Sequence, residues 1–161
     1  MDNGFGMGSA SNAHRDLCAY PHRYVVQTRR SDSLSGGHIP NRALADYADD
    51  AREAMHLAIM GGGLFDAGTP SLVLGATAMR FLKEVTYPGS LTIGVGIASI
   101  GAKSLREVFA FFRDGQCMVV GGCTMVRLGP DRRTAPFADD ERRRAAAFVI
   151  KPQDRPPIAS L

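Results

Sequence analysis

The sequence predicts an α+β domain in which an antiparallel sheet wraps around one long helix. Three observations carry that reading. The segment from Arg42 to Met60 repeats its apolar residues at helical spacing and runs into glycines. Four apolar, β-rich runs follow it. The links between those runs are short, which forces antiparallel neighbours. One apolar helix face and one apolar sheet face can then bury each other.

Taken in order, residues 1–20 are rich in Gly, Ser and Asn without periodicity and read as a flexible N-terminal arm. Tyr24 to Arg30 (YVVQTRR) is β-branched and reads as the first strand. Pro40 disfavours helix at Ile39, and Asn41 is a preferred N-cap. Leu44, Tyr47, Ala48, Ala51, Met55 and Ala58 then share one helix face, with Asp46, Asp49 and Glu53 opposite. Gly61-Gly62-Gly63 ends the helix, since glycine accepts the left-handed turn-off. Leu72 to Val85 reads as a long strand bent near Gly75, and Pro88-Gly89 as a turn. Leu91 to Ser99 alternates large residues (Leu91, Ile93, Val95, Ile97) with small ones (Thr92, Gly94, Gly96, Ala98), so another backbone is expected against the small face. Ser104 to Arg113 and Cys117 to Arg127 flank Asp114-Gly115, a strong hairpin signal. The sheet therefore has five or six strands. A short helix, Asp139 to Phe148, completes a single domain over residues 21–150. The tail from Lys151, with Pro152, Pro156 and Pro157, reads as flexible.

Composition narrows the functional classes. A chain of 161 residues suits one core. No apolar run approaches the roughly 20 residues of a membrane span, and no hydrophobic stretch near the start resembles a secretory signal, so a cytoplasmic protein is expected. The net charge of +3 is mild. Its densest runs, Arg132-Arg133 and Arg142-Arg143-Arg144, lie beside acidic residues and read as a solvated mixed surface. Neither nucleic acid nor membrane is an expected partner. Cys18, Cys117 and Cys123 lack zinc-type spacing; the last two, six apart in a strand, are expected on one face. The four histidines form no ligand pattern. No metal and no cofactor are expected.

The strand-to-helix junction carries the chemistry. Asp32-Ser33-Leu34-Ser35-Gly36-Gly37-His38-Ile39-Pro40-Asn41, followed by Asp50-Ala51-Arg52, resembles the junction of the hotdog-fold acyl-CoA thioesterases of the 4-hydroxybenzoyl-CoA thioesterase type. Theirs often reads D-x-D-x-x-G-H-V-N-N, then a helix with E-A-R. This sequence matches at the first Asp, at Gly-His and at the second Asn, with Leu34 in place of the second Asp. Phe81 to Val85 looks like the family's second strand, and Gly101-Ala102-Lys103-Ser104 like the turn before its fourth. The likeness spans about residues 22–150. It implies a hotdog fold and a cofactor-free hydrolase of acyl-CoA or acyl-carrier thioesters. It also implies sites shared between subunits of a homodimer or homotetramer.

Thioester hydrolysis needs a carboxylate that attacks or deprotonates water and donors for the developing oxyanion. The first amides of a helix supply such donors, which puts the oxyanion near Asn41. Gly36 and Gly37 would let the backbone approach the ligand. Asp32 is the candidate carboxylate at the junction, with His38 polarising or positioning; Asp50 is the alternative on the helix, among Asp46, Asp49 and Glu53. Each has a plainer reading: Asp32 bonding its own turn, His38 a structural loop residue, Asn41 a cap, the acidic helix face solvated. Lys103 and Ser104 match the turn where relatives hold the nucleotide end of coenzyme A. Met55, Ile59, Met60, Leu64 and Phe65 are pocket or core material. Two alternatives stand beside the hydrolase: a binder of acyl-CoA or a partner without catalysis, which Leu34 favours, and an enoyl-CoA hydratase, whose Asp usually precedes His by five where Asp32 precedes His38 by six.

Overall fold

The computed structural model describes residues 12–62, 66 and 68–156. Its framework is five antiparallel strands and a long helix: β1 (His22–Gln27), α1 (Asn41–Met60), β2 (Ser71–Phe81), β3 (Ser90–Ile100), β4 (Ser104–Arg113) and β5 (Gln116–Leu128), then a short α2 (Asp139–Ala146). The strand order is β1-β3-β4-β5-β2, so β1 and β2 form the edges. This is the hotdog arrangement, the sheet curled about α1. No described helix is long and apolar enough to cross a membrane.

The alternation in β3 sorts its two faces. Leu91, Ile93, Val95 and Ile97 join Phe109, Phe111 and Val119 beneath Leu44, Tyr47, Ala51, Met55 and Ile59 of α1. The small face turns outward, where Tyr20 and Ile150 cover it within a second cluster. A Cβ on Gly94 would lie 2.6 Å from the Tyr20 ring, and one on Gly96 would lie 2.1 Å from Ile150. The cover is made of side chains where a backbone was expected; the backbone of residues 148–150 instead pairs beside β3, where Ile97 donates to the Phe148 carbonyl at 2.8 Å and Ile150 donates back to Ile97 at 2.9 Å. That pairing ends α2 at Ala146, two residues before the expected Phe148.

Residues 12–20, read from sequence as part of a mobile arm, form two 3-10 turns, Asn12–Arg15 and Leu17–Ala19. Buried Tyr20 ties them down, its hydroxyl donating to the His14 carbonyl at 2.8 Å. Lys151 precedes another such turn, Pro152–Asp154. Gly63, Leu64, Phe65 and Pro157 lie outside the described residues.

Three local expectations change. The first strand occupies His22–Gln27, since Thr28 turns to bond Gly89 at 2.8 Å and Arg30–Asp32 coils into a 3-10 turn. β2 stops at Phe81, because Val85 and Tyr87 leave the sheet to bond the junction loop. Cys117 and Cys123 lie on opposite faces, the first in the outer cluster and the second in the inner one. The cause is a bulge: Phe111 pairs with Val119 but Phe112 with Cys117, so Met118 is an extra residue that inverts the alternation.

Other signals act as read. Asp114 (φ 50°) and Gly115 (φ 74°) are both left-handed, the type I′ geometry of a tight hairpin. Gly61 (φ 77°) closes α1, its amide bonding Leu57. The bend near Gly75 is a bulge between Leu74 and Ala76. Gly121 lies under the Phe109 ring, where a Cβ would sit 2.3 Å from ring carbons and 2.9 Å from the Ala78 carbonyl oxygen. Gly121→Ala is therefore expected to cost about 1–3 kcal/mol through overpacking, read as a lower urea midpoint at unchanged slope. An unaltered midpoint would mean the ring shifts without penalty.

Candidate functional site

A cavity of about 560 Å3 opens at the start of α1. One wall is the junction loop and first helical turn, with Leu34, His38, Ile39, Pro40, Asn41 and Leu44; the other is Phe81 to Val85. Backbone pairing holds the walls together. Ile39 donates to the Val85 carbonyl at 2.9 Å, Tyr87 donates to Gly37 at 2.7 Å, and His38 bridges Thr86. This explains Gly37: its φ is +82°, and a Cβ would lie 2.8 Å from the Tyr87 carbonyl oxygen. The close approach is to the segment linking β2 and β3. Gly36, at φ +79°, faces open space.

Pro40 caps the helix, in place of the expected Asn41. Its extended backbone (φ −73°, ψ 160°) sets the turn-in, and its carbonyl takes the first helical bond, from Leu44 at 3.2 Å. Asn41 is thus the first helical residue, its side chain makes no cap bond, and it lines the cavity. The amides of Asn41, Arg42 and Ala43 precede that first bond and have no acceptor within the helix. They carry the positive end of the dipole of a 20-residue helix.

Across the cavity stands Glu84. Its Oε1 accepts from His38 Nδ1 at 2.9 Å, and both side chains remain open to solvent. The sequence reading did not single out Glu84. The available signal was a Lys-Glu pair inside an otherwise apolar run, and nothing local pairs residue 84 with residue 38.

The other expected site residues disperse. Asp32 lines neither this cavity nor the next; its Oδ2 accepts from the Tyr47 hydroxyl at 2.6 Å. Burial, then this bond to Asp32, pushes the Tyr47 pKa up, so Tyr47 remains the donor. Gly36 and Gly37 line a second, more polar cavity of about 730 Å3 with Arg30, Ser31, Ser33 and Ser35. Leu34 lines both cavities and divides them. Asp50 is exposed farther along α1. Lys103 sits in the β3–β4 turn, where it offers its carbonyl to the Arg127 amide at 2.9 Å, and Ser104 opens β4. Met55 and Ile59 are core, with Met60 packed against it.

Farther along α1, Asp49, Arg52, Glu53 and His56 border a third cavity of about 240 Å3 beside β2. His56 Nε2 donates to the fully buried Glu107 at 2.7 Å. Among the described residues, no group of His, Cys, Asp and Glu is arranged to hold a metal ion.

The fold is shared with known proteins. Residues 20–146 match the model of the thioesterase-like superfamily. A search of curated proteins gave no match. Among solved structures, a Pseudomonas aeruginosa protein is 22% identical with a TM-score of 0.76, the match covering 84% of this chain and 96% of that one. A Thermus thermophilus thioesterase in complex with coenzyme A and zinc is 24% identical at a TM-score of 0.72, covering 86% and 98%. A Synechocystis 1,4-dihydroxy-2-naphthoyl-CoA thioesterase is 16% identical at 0.68, covering 78% and 95%. At such identities these structures speak to the fold.

Proposed function

The chain belongs to the thioesterase-like superfamily, and from that premise we propose that it hydrolyses acyl-CoA thioesters at the cavity beneath the start of α1. The observation that carries the proposal is the meeting of Glu84 and His38 beside the unpaired amides of Asn41 to Ala43. The thioester carbonyl oxygen points at those amides, which stabilise the charge it acquires. The Asn41 carboxamide, not used as a cap, adds a polar contact at the same rim. Glu84 takes a proton from water as its oxygen bonds to the acyl carbon. His38 holds that carboxylate in place. The tetrahedral adduct then collapses, the carbon–sulfur bond breaks, and the proton passes to the departing thiolate. Products are a carboxylic acid and free coenzyme A.

Asp32, through Tyr47, fixes the junction loop to α1 in this proposal. Lys103 and Ser104 lie at the opposite end of β3 from this cavity, so they remain the proposed contacts for the nucleotide end as groups supplied by a second copy of the chain, because a cation and a hydroxyl suit phosphate. A homo-oligomer is proposed through edge strand β2, where Leu74 is exposed. A thermophilic relative has been crystallised with coenzyme A, which supports the ligand class.

The test is thiol release from a panel of acyl-CoAs, run with size-exclusion chromatography. Release from at least one substrate by a particle larger than one chain is the expected result. The second reading, a binder without catalysis, is favoured by Leu34 where relatives carry a carboxylate. Calorimetric binding of coenzyme A without thiol release from any substrate would establish it and remove the hydrolase.

A further inference from the structure

We infer that this cavity selects uncharged, apolar acyl groups of medium length, and that Leu34 and Phe81 set the selection; the inference rests on the thioesterase reading above. Leu34 is 56% exposed and Phe81 52%, and both open into the same concave space. Large apolar side chains gathered at the mouth of a cavity mark a surface that is covered in use. The floor is apolar and rigid as well, since Ile39, Leu44 and Val85 belong to the core behind it. A volume of about 560 Å3 lies within the range of roughly 300–1,000 Å3 that holds whole small ligands. An acetyl group would leave most of it unfilled.

The polar groups are confined to one rim. His38 and Glu84 face each other there. The one Lys or Arg among the lining residues is Lys83, whose ammonium donates to Gln116 at 2.7 Å. A carboxylate at the far end of an acyl chain would therefore lose water against buried Leu44 and Val85, and exposed Lys83 would have to leave Gln116 to meet it. Leu34 also fixes the direction of the substrate. It divides the apolar cavity from the polar one bordered by Arg30, Ser31, Ser33 and Ser35. The acyl chain lies on the apolar side, and the amide-rich arm of coenzyme A leaves on the other.

The experiment is kcat/KM for acetyl-, butyryl-, pentanoyl-, octanoyl- and glutaryl-CoA with the full chain, Leu34→Ser and Phe81→Ala, each checked by size exclusion. The expected result is a rise of about three- to fourfold per methylene up to octanoyl. Glutaryl-CoA should be at least about tenfold poorer than pentanoyl-CoA. In both variants the octanoyl-to-butyryl ratio should fall roughly tenfold, mostly through KM. A flat chain-length profile overturns the inference, as do variants that slow every substrate equally. A changed oligomeric state with uniform loss also overturns it, by assigning these side chains to an interface between copies. Absence of turnover with every substrate rejects the hydrolase reading instead, and the same series measured as Kd by calorimetry then decides the inference.

Discussion

Glu84→Gln should lower kcat for acyl-CoA hydrolysis by about 10²–10⁴-fold, the usual worth of a positioned general base. The substitution keeps shape and hydrogen-bonding capacity while removing the proton acceptor. Because the Glu84 side chain is 64% exposed, folding stability should change by no more than about 0.5 kcal/mol. KM should move little, since the carboxamide still fills the rim. Asp32→Asn is the informative partner experiment. Asp32 is held by the Tyr47 hydroxyl outside the cavity, so its loss should reach the chemistry only through the loop, with a smaller fall in kcat. The reverse ranking, with Asp32→Asn inactive and Glu84→Gln unimpaired, would hand the proton transfer to Asp32.

That comparison also separates what the sequence could say from what it could not. The junction motif placed the helix start to within one residue and marked the glycine turn, because each is a local property of backbone geometry. The same holds for Asp114-Gly115, for Gly61, and for the large-and-small alternation of β3, which sorted inner from outer face. Errors arose where a long-range pairing overrode a local preference. Asn41 is a better cap than proline by composition, yet Pro40 takes the position and Asn41 begins the helix. One inserted residue, Met118, reversed the alternation and moved Cys117 to the outer face. Glu84 meets His38 only because Ile39 bonds Val85 and Tyr87 bonds Gly37. No periodicity spans the 46 positions that separate those two side chains.

The largest stability effect is expected at the other end of α1, from Glu107→Ala. Glu107 is 1% exposed and lies on the inner face of β4. One oxygen accepts from His56 Nε2 at 2.7 Å, and the other accepts from the Cys123 thiol at 3.6 Å. Arg52 donates to Cys123 Sγ at 2.7 Å and also bonds Asp49. Burial first, and then the neighbouring Glu107, pushes the Cys123 pKa up to about 12, so the thiol stays protonated and remains a donor. Removing Glu107 leaves His56 and this thiol buried without their acceptor, a loss of about 3–5 kcal/mol by the measure of broken buried pairs. For a chain of this size that corresponds to a fall in Tm of roughly 10 °C. The double variant His56→Leu, Glu107→Leu should recover most of the loss, because it removes both partners and fills the space. Additive losses in that cycle would mean the two residues do not act as a pair. His56 lies about 22 Å along the helix axis from Asn41, so the pair anchors α1 to the sheet remotely from the proposed reaction. Well below its melting temperature, Glu107→Ala should therefore hydrolyse acyl-CoA with kcat within about threefold of the parent, whereas its unfolding midpoint drops.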